Sequence, residues 1–460
     1  MRKITTKSTT FTIIQCACLL FTGSALAGPP PELPVPDDLH PCTLQETLPN
    51  AATTHAVFPC GAIVTDVAGS SAASAAITAA GATVRYEVHS VNTAAAVVNN
   101  QASLDALLAN TAITVIPDRI VQAFRKPSGV GGGGSGGGTS QVIPDGVKRI
   151  GATPGALPVT GNGIGVAVVD TGVDLSNADL AVSGDCFDAY GQGCDDSDGH
   201  GTHVSGIIAA KNNSIDVVGV APKATIYAVR VLGPTGGTDS AVMAGLQWVL
   251  DNANLVNPPI KVMNMSLGRE GTVNDDPPFE ALVTQLRDAG IAIAVAAGND
   301  ASLEVWQNIP AAYPEVMSVA STAATDGNNK CRGFNGFIAM DTASFYTTDG
   351  SGVTISAPGE DKEDISRACF IRSTGILSLK AGGGTTRMSG TSMASPHLAG
   401  VLALLAEQEG VSFDPEVARV QVQQGATGIN TTPLDSPTTS YTFDGVREGV
   451  LSACGTLGSC

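Results

Sequence analysis

The residue types needed for acyl transfer stand at three places in this chain of 460 residues. Asp170 ends the apolar run Gly165-Val166-Ala167-Val168-Val169. His200 lies in Asp198-Gly199-His200-Gly201-Thr202-His203, and Ser392 in Ser389-Gly390-Thr391-Ser392-Met393-Ala394-Ser395-Pro396-His397. A serine hydroxyl is a weak nucleophile until a base takes its proton, and imidazole is poised to do that near neutral pH. A carboxylate fixes the imidazole tautomer and steadies its cation. Of the six histidines, His40, His55 and His89 precede a glycine-rich stretch, and His397 lies more than a helical turn beyond Ser392. His200 is therefore the best base. A fourth island, Ala292 to Ala297 followed by Gly298 and Asn299, ends in an amide that can donate to an oxyanion beside the Ser392 N–H.

Each island alone has a plainer reading. Asp170 could cap a turn, Ser392 could cap a helix, and His200 with His203 could be a metal pair. No HExxH pattern or third ligand accompanies those histidines. The order Asp, His, Ser makes the joint reading the stronger one.

Positioning these groups requires strands that end at Asp170 and Asn299 and helices that start at His200 and Ser392. Open α/β sheets gather reactive groups at strand carboxyl ends. The free N–H groups and dipole at a helix start favour an oxyanion. Pro396 is expected in the first turn of the serine helix, where no N–H is needed. From 141 to 460, buried strands alternate with helices. This predicts an α/β domain with a mostly parallel central sheet and helices on both faces.

The chain before residue 141 is different. Arg2, Lys3 and Lys7, the apolar run Phe11 to Phe21 and Ala25-Leu26-Ala27 read as a signal peptide over 1–27. A lipoprotein anchored at Cys16 or Cys18 is the rival reading, without the expected upstream Leu. No later run reaches membrane-helix length, so a secreted, extracellular protein is expected, with the periplasm also open. Residues 28–41 are Pro-rich and read as extended. Residues 56–122 read as a small α/β unit: strand 62–67, helix 70–80, strand 83–91, helix 102–108, strand 113–116. Residues 129–138 are nearly all glycine, which marks 129–140 as a flexible linker.

Formal charge is −18, and only seven Lys and Arg and eight Asp and Glu precede residue 141. Nearly all of the excess therefore falls on the second part. A phosphate binder needs a basic face, so nucleic acid is excluded as a partner. Eight cysteines remain after residue 27, and eight allow 105 pairings. Export favours disulfides, and short loops close most easily, so the pairs Cys42/Cys60, Cys186/Cys194, Cys331/Cys369 and Cys454/Cys460 are expected.

The four islands, in this order, resemble the subtilisin-like serine peptidases over about 141–455. The resemblance implies a secreted endopeptidase working through an acyl-enzyme, a monomer acting on protein or peptide substrates. It assigns Asp170 to orient, His200 as base then acid, Ser392 as nucleophile and Asn299 to the oxyanion. It places Ser266, Leu267 and Gly268 on a strand that pairs with the substrate backbone and lines the first specificity pocket, Gly236 and Gly237 on the opposing edge, and Ala297 and Gly298 among the substrate-binding residues. Arg269 directly follows Gly268 at the rim of that pocket, where a small residue is usual. Residues 210–222 resemble the family's calcium loop. This implies a structural Ca²⁺ held by Gln141, Asp179, Asn213 and the carbonyls of Lys211, Ile215 and Val217. Asp216 replaces a glycine there. Residues 28–128, with the core 56–122, resemble an inhibitor-type propeptide, implying a folding aid and intramolecular inhibitor cut somewhere in 124–140. A catalytically silent binding fold and a narrow processing protease are the other readings.

Overall fold

The computed structural model describes residues 40–42, 58–69, 72–124, 140–438 and 444–460. The expected signal peptide, most of the Pro-rich stretch and the glycine run 129–138 lie outside them. Among the described residues no helix is long and apolar enough to cross a membrane.

Seven strands form one parallel sheet. Their spatial order is Val353–Glu360, Met317–Ala323, Ala292–Ala296, Ile260–Met265, Gly165–Asp170, Thr225–Arg230, Phe187–Asp188. Strands covered on both faces read as unbroken apolar runs, and Gly165–Asp170 and Ala292–Ala296 are buried at every position. Alternate side chains go to opposite layers. Val166 and Val168 pack with the apolar residues of helices His200–Ala209 and Thr391–Glu409. Ala167 and Val169 pack with those of helices Asp239–Asn252 and Pro277–Asp288. The sheet grows from Gly165–Asp170 first to one side and then to the other. Asp170 therefore ends a strand where the order reverses, the place such sheets use for ligands.

Residues 58–124 fold as an antiparallel sheet, Cys60–Asp66 between Thr93–Val98 and Ile113–Pro117, with Thr83–Val88 beyond Thr93–Val98. Helices Ala73–Ala79 and Gln101–Leu108 complete it. The strand Thr93–Val98 is not foreseen, because its three alanines carry little strand preference. The strand expected to reach Val91 stops at Val88 and turns through His89–Val91. There the Ser90 N–H donates to Gln247 Oε1 (3.1 Å) and the Ser90 carbonyl accepts from Gln285 Nε2 (3.1 Å), so these groups serve helix contacts instead of a ladder. Of the Pro-rich stretch, only its last two residues lie among those described. His40–Pro41 adds a parallel edge beside Cys60–Gly61.

This sheet rests on helices Asp239–Asn252 and Pro277–Asp288, with Ile63, Val88 and Val121 in one cluster with Val242, Leu246 and Leu282. The buried Asp118 carboxylate accepts from Ser240 N (2.9 Å) and Ser240 Oγ (2.6 Å), satisfying donors at the start of helix Asp239–Asn252. All eight cysteines after residue 27 pair with their nearest neighbours. Residues 331–387, unassigned from sequence, contain two hairpins, Lys362–Ile365 with Ile371–Thr374 and Ile376–Leu379 with Thr385–Met388. The first is tied back by Cys331–Cys369.

Candidate active site

Asp170 and His200 meet at 2.8 Å, Oδ1 to Nδ1, both fully buried. The hydroxyl of the next residue links the two elements that carry them. Thr171 Oγ1 donates to Asp196 Oδ1 (2.9 Å) and accepts from Gly201 N (2.9 Å). Asp196 also accepts from Gly199 N (2.8 Å) and Thr202 N (2.9 Å). The strand end and the first turn of the histidine helix are thus joined by the donors that a helix start leaves open. His200 Nε2 is buried and has no protein partner.

The serine helix runs Thr391–Glu409, so Pro396 falls in its second turn and not its first. Pro396 has no N–H for the Ser392 carbonyl. Ser266 Oγ donates to that carbonyl instead, at 2.9 Å. Asn264 Nδ2 donates to Ser266 Oγ (3.0 Å), and Ser395 Oγ donates to Asn264 Oδ1 (2.7 Å). Ser392 Oγ itself donates to the Ser266 carbonyl at 2.9 Å. In this conformer, therefore, the hydroxyl and the His200 ring are not hydrogen-bonded, and a change of Ser392 rotamer is needed to join them.

Asn299 follows the strand Ala292–Ala296. Its Oδ1 accepts from Thr391 N (2.9 Å) and Thr391 Oγ1 (3.0 Å). That leaves Nδ2 to face the cleft, where it donates to the Phe124 carbonyl at 2.6 Å. Ser392 N approaches the same oxygen at 3.4 Å. Both donors therefore converge on one carbonyl, supplied by the chain itself.

Phe124 directly follows the strand Ile120–Ala123, which lies antiparallel between two edges. Val121 faces Gly237, while Gln122 faces Gly268 and Ala123 faces Leu267. Phe124 N donates to the Ser266 carbonyl at 3.2 Å. Only glycine permits this approach. A Cβ on Gly268 would stand 2.6 Å from the Phe124 ring, and one on Gly236 would stand 2.5 Å from the Val121 carbonyl. Beside Phe124 lies a cavity of about 540 Å³ lined by Gly268, Arg269, Asn299, Leu303 and Asn308 among others. Ala297 and Gly298 lead from the strand Ala292–Ala296 to Asn299. The Ala297 N–H donates to Val319 O (3.1 Å) and the Gly298 N–H to Thr391 Oγ1 (3.2 Å). Arg269 lines the cavity, but its guanidinium is folded onto the buried Asp239, with Nη2 at 2.7 Å from Oδ2.

His203 and His397 are buried and bound to backbone carbonyls. His203 Nε2 lies 3.1 Å from Ile376 O, and burial pushes its pKa down to about 3. His397 Nδ1 lies 2.8 Å from Met393 O, and burial lowers its pKa to about 4. Thr171, Asp196, Asn264, Thr391 and Ser395 were not singled out from sequence. Their signal was present: small polar residues interrupting apolar runs or adjoining the motif residues.

The loop 211–217 gathers four oxygens around one atom. Gln141 Nε2 lies 2.6 Å from Lys211 O, 2.9 Å from Val217 O, 3.2 Å from Asn213 Oδ1 and 3.3 Å from Ile215 O. An amide nitrogen carries only two hydrogens for these four acceptors. Asp179 Oδ1 accepts from Asn213 Nδ2 (2.6 Å), while its buried Oδ2 has no protein partner. Burial pushes Asp179 up to about 6. Asp216 takes φ of 47°, a left-handed backbone that suits the glycine it replaces. Among the described residues no group of three or more His, Cys, Asp or Glu could hold a metal ion. The donors here are mainly carbonyls, and an oxygen set with a spare carboxylate fits a hard cation such as Ca²⁺.

The sequence matches the subtilase family over residues 161–443. It is 35% identical over 302 residues to alkaline elastase YaB of Bacillus sp. (strain YaB), covering 65% of this chain and 69% of that protein. It is 34% identical over 299 residues to subtilisin Savinase of Lederbergia lenta, covering 64% of this chain and 95% of that one. The fold is similar to that of fervidolysin from Fervidobacterium pennivorans, with a TM-score of 0.62 at 23% identity, over 86% of this chain and 60% of that chain. With the strand order, the paired Asp170 and His200 and the family match in agreement, the chain belongs to the subtilase family of subtilisin-like serine endopeptidases.

Proposed function

We propose that the protein is a secreted endopeptidase that cuts its own precursor between Phe124 and Arg125, with Asp170, His200 and Ser392 as the catalytic triad. The observation that carries this is the Phe124 carbonyl oxygen, 2.6 Å from Asn299 Nδ2 and facing Ser392 N. A carbonyl in that position is held where its oxygen gains negative charge on attack. Extended pairing of 120–123 with both edges is the β-augmentation by which a peptide would lie in the cleft. The first specificity pocket then receives the Phe124 ring.

In this reading Ser392 Oγ turns from the Ser266 carbonyl to His200 Nε2 and attacks the Phe124 carbonyl carbon. His200 takes the hydroxyl proton while Asp170 holds Nδ1–H and steadies the imidazolium. The oxyanion lies between Asn299 Nδ2 and Ser392 N. As the C–N bond breaks, His200 returns the proton to the Arg125 amine. Water, deprotonated by His200, then releases the acyl group from Ser392. Residues 58–124, resting on two helices and closing the cleft, act as propeptide and inhibitor until they leave.

The test is the N-terminus of the secreted product together with labelling by a fluorophosphonate. A product beginning at Arg125 and a label on Ser392 are expected. A product that retains residue 124, or a label elsewhere, defeats the assignment.

Gln141, Asp179, Asn213 and the carbonyls of Lys211, Ile215 and Val217 would hold Ca²⁺, which supplies charge to tie the start of the mature chain to the loop. A ligand present at 100 times its Kd stabilises by about 2.7 kcal/mol. EDTA is therefore expected to lower Tm by several degrees and to speed autolysis, with recovery on added Ca²⁺. Unchanged Tm and autolysis would remove the site.

A further inference from the structure

The two edges of the cleft belong to one sheet only while the strand between them is in place. The order of that sheet is Gly237–Thr238, Ile120–Ala123, Leu267–Glu270, Asn308–Ile309, and its second strand is the one that departs after the cut. Among the described residues no backbone ladder joins Gly237–Thr238 directly to Leu267–Glu270. The first edge is also soft, since Gly233-Pro234-Thr235-Gly236 leads into it. An ion pair spans the gap instead. Arg269 belongs to one edge, and Asp239 directly follows the other. Arg269 Nε lies 3.0 Å from Asp239 Oδ1 and 2.9 Å from Oδ2, and Nη2 lies 2.7 Å from Oδ2. Nη1 donates to the Glu270 carbonyl at 2.9 Å. The two side chains are 8% and 1% exposed, so the pair lies on the protein side of the strand Ile120–Ala123. A Cβ on Gly271 would stand 2.5 Å from Nη1, so a glycine keeps the place open. The backbone of Asp239 touches the bound strand as well, its N–H donating to the Arg119 carbonyl at 3.0 Å.

We propose that Arg269 and Asp239 are positioning residues: their ion pair passes under the substrate and holds the two cleft edges at the spacing that a strand between them requires. Three guanidinium nitrogens are engaged at once, so the pair fixes direction as well as distance. A cleft held at its bound width spares an incoming peptide the ordering of its second edge. The benefit grows with the length of peptide that reaches both edges. It therefore falls on extended substrates, and on how well they bind more than on the attack by Ser392. This inference rests on the reading of 119–124 as a strand bound in the manner of a substrate.

The test uses the mature enzyme and two acetylated peptide p-nitroanilides, Ala-Phe and Arg-Ile-Val-Gln-Ala-Phe, the second copying residues 119–124. The short peptide reaches only the edge at Leu267, while the long one reaches both edges. For wild type, kcat/KM for the long peptide is expected to exceed that for the short one by about a hundredfold, the range of two net hydrogen bonds. Arg269→Lys keeps the charge but not the fork, and this ratio should fall by about tenfold, through KM of the long peptide. Arg269→Met combined with Asp239→Leu removes the tie without stranding a buried charge. It should show the same fall, and it serves alone if the Lys variant does not fold. Because each ratio is internal to one enzyme, a general loss of activity divides out. A ratio unchanged in the folded variants, or a fall carried by kcat alone, overturns the positioning role of the pair. A wild-type ratio near one, or a mature N-terminus other than Arg125, instead overturns the reading of 119–124 as bound substrate, and this inference with it.

Discussion

Ser392→Ala is expected to leave the exported precursor joined at Phe124–Arg125, while wild type appears as the shortened chain. Any material matured by other means should show kcat lower by about 10⁶, the cost of losing a triad nucleophile. The reason is local. Ser392 is the second residue of its helix, and its N–H and the Asn299 amide converge on the Phe124 carbonyl. The substitution removes the attacking oxygen and leaves those donors in place. It also removes the hydrogen bond to the Ser266 carbonyl, a loss of about 1 kcal/mol, too small to unfold the domain. The measurement is intact mass and N-terminal sequence of both secreted proteins. Equal trimming of both would mean that another protease makes the cut, and self-processing would be abandoned.

Asn299→Ala should lower kcat by about 10²–10³ with little change in KM, the known cost of removing one oxyanion-hole donor. The precursor should then mature slowly instead of not at all, since Ser392 N–H and the triad remain. Thr391→Val should cost less. It removes the hydroxyl contact to Asn299 Oδ1 but keeps the Thr391 backbone N–H, which lies 2.9 Å from the same oxygen. Steady-state kinetics on one peptide across the three enzymes settle the order. An Asn299→Ala enzyme with wild-type kcat would remove the amide from the oxyanion role.

Much of this architecture was legible beforehand because strands covered on both faces must be apolar throughout. Gly165–Asp170 and Ala292–Ala296 announced themselves in this way, and each points to the polar residue at or just beyond its end. The four disulfides were legible for a related reason, that near neighbours close short loops. Thr93–Val98 was not legible, since alanine commits to no element until neighbours cover it. Pro396 was placed a turn too early because the sequence offers no sign that a side chain from another strand, Ser266, would take over the missing hydrogen bond.

The sequence by itself determined the chemistry on offer: a carboxylate, an imidazole, a hydroxyl and an amide, in an order and local setting that matches a family. It also determined the domain class, through the alternation of apolar strands and helices. Only the tertiary structure decided which groups meet. It joined Asp170 to His200 across 30 residues, turned the Asn299 amide through Thr391, and led Phe124 between two sheet edges to the oxyanion donors. It also left Asn308 buried with an N–H unanswered. The physical reason is that residue type sets what a group can donate or accept. Burial and direction, which decide whether it does so, are set by packing partners far away in the chain.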